Sequence, residues 1–283
     1  IDLITGFLGS GKTTFIKKYA KYLIDQGENI GILENDYGAV NVDMMLLKDL
    51  EGENCELEMI AGGCDADCHR RRFRTKLIAM GMCGYDRVIV EPSGIYDVDE
   101  FFDVLRDDPI DRWYEIGNVI TVVDAKLEEK LSDEADYLLA SEAANAGCIV
   151  LSRSQEASEK EIENTVSHLN AAMEKVQCKR RFKDEIVVKD WTAFDEADYE
   201  TFLSCGYVPE NYRKMHIEEG ETFKSLYFMN LDKTTDEIIE AAKHILEDKE
   251  CGRVFRVKGF LKDEAGEWLE LNATHQEMRI CLL

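Results

Sequence analysis

The nine residues Gly6-Phe7-Leu8-Gly9-Ser10-Gly11-Lys12-Thr13-Thr14 constrain the fold more than any other part of the chain. They fit the pattern G-x-x-x-x-G-K-[ST]. A short apolar run, Ile1 to Thr5, precedes them, and an amphipathic stretch with Phe15, Ile16, Tyr19, Ala20 and Leu23 on one face follows. A strand, a glycine loop and a helix in that order form an anion cradle. The glycines let successive backbone N–H groups turn inward, and the helix beginning near Thr13 adds the positive end of its dipole. The pattern predicts that Gly9, Ser10, Gly11, Lys12, Thr13 and Thr14 surround the phosphates of a nucleoside triphosphate. Lys12 would reach the β and γ phosphates, and the Thr13 hydroxyl would ligate Mg²⁺.

Short β-branched runs recur at 29–34, 86–90, 119–123, 148–151 and 186–188, separated by helical patterns at 69–80, 98–105, 125–146, 158–176 and 196–203. The expected architecture is α/β: a doubly wound, mostly parallel sheet with the nucleotide at the carboxyl ends of its strands. The pattern changes near Gly206. We expect a nucleotide-binding domain over 1–206, a linker over 207–222 and a small C-terminal α+β module over 223–283. The module would hold a strand at 223–229, a helix at 236–248, and a hairpin from 254–261 and 268–271.

The 283 residues carry a formal net charge of −24, with 58 acidic against 34 basic side chains. That balance opposes a nucleic-acid backbone or an anionic membrane as partner. No apolar stretch approaches the length of a membrane span. The nine cysteines are scattered apart from Cys64 and Cys68, which suits a reducing cytoplasm better than a disulfide framework. The chain opens on Ile1 rather than methionine, so we expect it to begin inside a longer protein.

Beyond the glycine loop, a triphosphatase needs an acid on a neighbouring strand and segments that respond to the γ phosphate. Glu91-Pro92-Ser93-Gly94 directly follows an apolar strand. It offers Glu91 to Mg²⁺ or to the attacking water and the Gly94 N–H to the γ phosphate; a solvated turn is the plain alternative. The segment from Glu34 to Asp43 brings Asp36 and Asp43 into a loop that could contact Mg²⁺ or make an ordinary turn.

Taken in order, the glycine loop, Asn35 to Asp43, Gly62-Gly63-Cys64, Glu91-x-x-Gly94, Thr121-Val122-Val123-Asp124-Ala125 and, near the end, Arg256-Val257-Lys258-Gly259-Phe260 resemble CobW-type GTPases. These are relatives of the urease- and hydrogenase-maturation GTPases. The resemblance covers nearly the whole chain. It implies a GTP- and Mg²⁺-dependent hydrolase acting as a metallochaperone or cofactor-assembly protein. Such a protein would carry zinc or cobalt to a client metalloprotein, and a homodimer is compatible with it. Catalysis would fall to Lys12, Glu91 and Asp36.

The chain departs from the family pattern in two places. The family follows its glycine with Cys-x-Cys-Cys, whereas here Gly63-Cys64-Asp65-Ala66-Asp67-Cys68-His69 leaves two thiolates. Cys64 and Cys68, with His69 or Asp67, would still suit Zn²⁺ or a similar ion. Two cysteines four apart also occur without any metal. The family reads guanine with Asn-Lys-x-Asp, but here Ser152-Arg153-Ser154-Gln155 follows the strand. Gln155 cannot accept both guanine protons as a carboxylate does, and it could pair with adenine instead. Arg153 can stack on the base. GTP is expected on family grounds, with ATP its rival. Three other functions compete with the carrier: an ATP-dependent activator, a non-catalytic nucleotide-dependent scaffold, and a small-molecule kinase. The kinase is disfavoured because Arg70-Arg71-Arg72-Phe73-Arg74 is the one cluster resembling an arginine lid, and it reads better as a helix face.

Overall fold

The computed structural model describes residues 1–36, 42–61, 66–92, 98–183, 185–214, 226, 228, 231, 233–252, 254–263, 265–275 and 278–282. For residues 35, 36, 42, 43, 61, 66 and 67 it describes the backbone alone. The chain divides into two units, Ile1–Ser225 and Leu226–Leu283.

Strands and helices alternate through the first unit: β1 (Asp2–Thr5), α1 (Lys12–Asp25), β2 (Ile30–Asp36), α2 (Val42–Leu47), β3 (Cys55–Ala61), α3 (Ala66–Gly81), β4 (Arg87–Pro92), α4 (Val98–Leu105), β5 (Val119–Asp124), α5 (Asp133–Ala144), β6 (Cys148–Ser152), α6 (Glu159–Lys175), β7 (Ile186–Val187) and α7 (Glu196–Ser204). The seven strands form one sheet in the order β3-β2-β4-β1-β5-β6-β7. Every pairing in it is parallel. β4 and β1 lie side by side at the centre, with β2 and β3 beyond β4 on one side and β5 to β7 beyond β1 on the other. The order reverses there, which is where doubly wound sheets open a crevice at their carboxyl ends. β1 leads into the glycine loop and β4 ends with Glu91 and Pro92, so the sheet delivers both motifs to that crevice.

The central strands are buried along their length because helices cover both faces of a parallel sheet. Phe15, Ile16, Tyr19 and Leu23 of α1 pack in one cluster with Ile4, Ile32, Ile89 and Ile120 of the strands. At roughly 1.5–3 kcal/mol for each fully buried side chain, this face anchors the helix that follows the glycine loop.

Two elements differ from expectation. β3 is absent from the sequence-based strands because Cys55-Glu56-Leu57-Glu58-Met59-Ile60 mixes acids into the run. It ends the sheet, and an edge strand can leave Glu56 exposed while Cys55 and Leu57 are buried. The helix expected over 125–146 begins only at Asp133. Ser132 caps it by accepting from the Ala135 N–H at 3.2 Å, and Asp133, Glu134 and Asp136 complement its dipole. The residues before it turn instead, with the Leu127 N–H bonded to Asp124 O.

In the second unit, α8 (Thr235–Glu247) opens with a capping box between Thr234 and Glu237. β8 (Val257–Lys262), β9 (Trp268–Ala273) and β10 (Met278–Leu282) form an antiparallel sheet in the order β10-β9-β8. Ala242 and Leu246 of the helix pack on Leu261, Leu271 and Ala273. The strand expected at 223–229 lies almost wholly outside the described residues, and β10 was not anticipated from the sequence.

Candidate functional site

The glycine loop has the backbone its sequence demands. Gly6 has φ +141°, and a Cβ there would sit 2.2 Å from Val122 O, so no other residue fits. Gly11 has φ +100° and caps α1 at its N-terminus, which aims the first N–H groups of the helix along the loop. Lys12 follows with little exposure, and its ammonium donates to Gly6 O at 2.7 Å, which holds the charge over its own loop. Ser10 is buried and its hydroxyl has no partner among the described residues. Thr14 is exposed.

Thr13, at the second position of α1, donates its hydroxyl to Glu91 Oε1 at 3.1 Å. The structure thus joins two residues that the sequence proposed separately. Sequence reasoning missed a third. Glu34 stands directly opposite Glu91 in the β2–β4 register and is equally buried, at 3% and 5% exposure respectively. Two carboxylates on adjacent strands, beside a hydroxyl, form an all-oxygen donor set of the kind Mg²⁺ takes. On its other side Glu34 is in register with Met59 of β3, the strand that leads toward the cysteine turn. The signal was present in an acid closing the apolar run Ile32-Leu33, but pairing with Glu91 depends on strand order.

Beneath the loop lies a second buried acid that the sequence did not single out. Glu142 on α5 is 2% exposed, and its Oε2 has no partner among the described residues. Thr5 and Thr121, on β1 and β5, bring their hydroxyls within 3.1 and 2.8 Å of its main-chain oxygen. Burial pushes its carboxyl up to about 8, with the Lys12 ammonium pulling the other way.

On the base side, Arg153 adopts φ +54° just after β6 and forms a two-point ion pair with Asp124, at the end of β5. Its Nε donates to Asp124 Oδ1 at 3.1 Å, and it reaches Gly9 O at 3.5 Å. Asp124 therefore orients the arginine against the glycine loop, a role the sequence did not disclose. Gln155 is exposed in the turn that follows. Trp191 supports both parts. Its indole N–H donates to Leu151 O at 2.9 Å, and its ring lies 3.3 Å from where a Cβ of Gly11 would be.

The remaining candidates are only partly in view. Asp36 is the last residue of β2 and Asp43 the second of α2, each with backbone alone described. Gly94 and Cys64 lie outside the described residues. Cys68 is half-buried on the first turn of α3 and makes no disulfide. His69 is buried, and burial, aided by the Arg72 charge, lowers its imidazole to about 4, so it is neutral near pH 7. Among the described residues no group of three or more His, Cys, Asp or Glu side chains is placed to hold a metal ion.

A doubly wound parallel sheet whose first strand delivers this loop to the switch point defines a P-loop nucleotide-binding domain. The profile of the CobW/HypB/UreG nucleotide-binding domain matches residues 1–183, and the chain belongs to that family. It is similar to zinc chaperone YeiR of Escherichia coli (strain K12), 30% identical over 139 residues, which is 48% of this chain and 41% of that protein. It is also similar to zinc chaperone YjiA of the same organism, 25% identical over 182 residues, or 60% of this chain and 54% of that protein. The chain thus spans about half the length of the curated relatives it matches. Among solved structures, Zn(II)-bound YjiA GTPase from E. coli aligns over 100% of this chain and 88% of that one, with 17% identity and a TM-score of 0.44.

Proposed function

We propose that this chain is a nucleoside triphosphatase, acting on GTP with ATP as the rival substrate, that carries a transition metal, zinc or cobalt, to a client metalloprotein. The observation that carries the reading is the placement of Glu34. It lies between Glu91, which holds the Thr13 hydroxyl, and the strand leading to the turn with Cys64, Cys68 and His69. One strand end therefore borders both the phosphate side and the cysteine side, and a shift on one is felt on the other.

The residues fit Mg²⁺ by their chemistry, since a hydroxyl and buried carboxylates are hard oxygen donors. Bound there, the ion would neutralise charge on the β and γ phosphates. Thr13 would ligate it, with Glu91 and Glu34 behind, while Asp43 is the candidate from the neighbouring segment. Lys12 leaves Gly6 O to take the γ phosphate, and Glu91 or Asp36 orients the attacking water. The Gly94 N–H would meet the γ phosphate. The chemical step is slow, as in unassisted GTPases. The names of YeiR and YjiA as zinc chaperones support the cargo. Cys64 and Cys68, with the neutral His69 or Asp67, would supply its ligands.

Exposed Gln155, and an Arg153 engaged by Asp124, favour loose selection between GTP and ATP. No helix among the described residues is long and apolar enough to cross a membrane, which suits a cytoplasmic carrier. Phosphate release measured with and without Zn²⁺, Co²⁺ and Ni²⁺ tests the proposal. A triphosphatase whose turnover responds to its metal supports it; metal-independent turnover, or none, counts against it.

A further inference from the structure

The edge of the sheet carries a feature that nucleotide chemistry does not use. Five of the chain's 34 basic residues fall within seven positions, Arg70 to Lys76, although the net charge is −24. In α3 these positions split by helical period. His69, Phe73, Leu77 and Met80 are buried against the core. Cys68, Arg71, Arg72 and Lys76 share the other stripe and, with Met59 and Ile60 of β3, line a groove of about 530 Å³. Arg71 and Arg72 are exposed, while Lys76 is bonded to Glu58 of β3 at 2.6 Å. The groove thus has an apolar floor and a cationic wall, and Cys68 stands at the end where α3 begins.

The second wall is the sheet edge itself. β3 pairs with β2 alone among the described residues, so the outer side of a seven-residue strand presents main-chain donors and acceptors. An extended segment can add to such an edge, and alternate side chains of the added strand then project toward α3. We propose that this groove docks an acidic, extended segment of the protein that receives the metal. The segment adds as a strand to β3 and places carboxylates at alternate positions against Arg71 and Arg72. Charge complementarity selects the occupant. The chain as a whole is strongly acidic and repels such a segment, whereas five basic residues gather on this helix at 70–76. The bound segment runs past Cys68, so docking would bring the client's own ligands to the thiol side of the turn. This last consequence rests on the carrier function proposed above.

The test uses the full chain and a fluorescein-labelled ten-residue peptide of alternating Glu and Val, with the matching uncharged Gln and Val peptide as control. Fluorescence anisotropy at low salt should show saturable binding of the acidic peptide and none of the control. Arg71→Glu with Arg72→Glu, both exposed, should weaken it at least ten-fold, with nucleotide binding unchanged. Hydrogen exchange should slow in Cys55–Ala61 when the acidic peptide is bound, which a purely electrostatic contact would not produce. The proposal is overturned if the acidic peptide does not bind or binds the double variant equally well. It is also overturned if β3 gains no protection, or if inorganic phosphate or a single-stranded oligonucleotide of equal charge displaces the peptide as well as unlabelled peptide does. Peptide binding in a chain that takes up no Zn²⁺ would leave the docking groove standing and remove the carrier function. Zn²⁺ uptake without peptide binding would do the reverse.

Discussion

Replacing Glu142 by Gln tests the packing beneath the glycine loop. The carboxyl is 2% exposed, and burial raises it from 4.5 to about 8, so the folded chain keeps a proton that the unfolded chain has released. The sign follows from linkage. A group whose folded pKa is raised contributes its full stability below the unfolded value, and that stability is lost as pH rises through the folded one. Glu142→Gln keeps the shape and removes the titration. Relative to wild type, the variant should gain about 4 kcal/mol in unfolding free energy from about pH 5 to about pH 9, since each pH unit between the two pKa values is worth about 1.4 kcal/mol. Urea unfolding followed by fluorescence, wild type and variant side by side, isolates the difference because the other titrating groups are common to both. A difference that stays flat across that range would refute the reasoning. It would mean that water or a shifted side chain already solvates the carboxylate.

Lys12→Ala should lower triphosphate affinity at least a hundred-fold by calorimetry and leave the circular dichroism spectrum unchanged, because the lysine donates to the Gly6 carbonyl of its own loop. Glu91→Gln should slow phosphate release by roughly 10²-fold or more while altering nucleotide affinity only a few-fold, the mark of a group that acts mainly in the transition state. Comparable losses in both would make the bond to Thr13 its chief role. In competition binding, GTP over ATP should be a small or inverted preference, since a missing acceptor at Gln155 costs on the order of 1–3 kcal/mol; a preference of several thousandfold would mean another group reads guanine.

The glycine loop was legible because each of its residues acts locally. A tight turn needs glycine wherever it stands, and Gly6, Gly9 and Gly11 all have positive φ. The buried strands were legible for the same reason, as runs of β-branched residues. What escaped depends on register and strand order. Glu34 becomes a site residue only when β2 is laid beside β4, and β3 is recognisable only as an edge. Asp124, Trp191 and Glu142 come to the loop from β5, from the segment after β7 and from α5. No local pattern announces such long-range neighbours, and a buried acid inside a helix reads in sequence as a solvated one. The 3₁₀ turn at Trp191–Ala193 is equally silent in sequence, although its tryptophan lies against both the base-side strand and the start of α1.

Coupling between nucleotide and metal is measured most directly by titrating Zn²⁺ against a chromophoric chelator, with the chain loaded first with a non-hydrolysable triphosphate analogue and then with diphosphate. Sites joined through Glu34 and the end of β2 should differ in Zn²⁺ affinity by at least about five-fold between the two states, a typical coupling of 1–3 kcal/mol. Cys64→Ser with Cys68→Ser should abolish tight binding in both. Equal Zn²⁺ affinity in the two nucleotide states, or tight binding that survives loss of both thiols, would contradict a nucleotide-switched carrier.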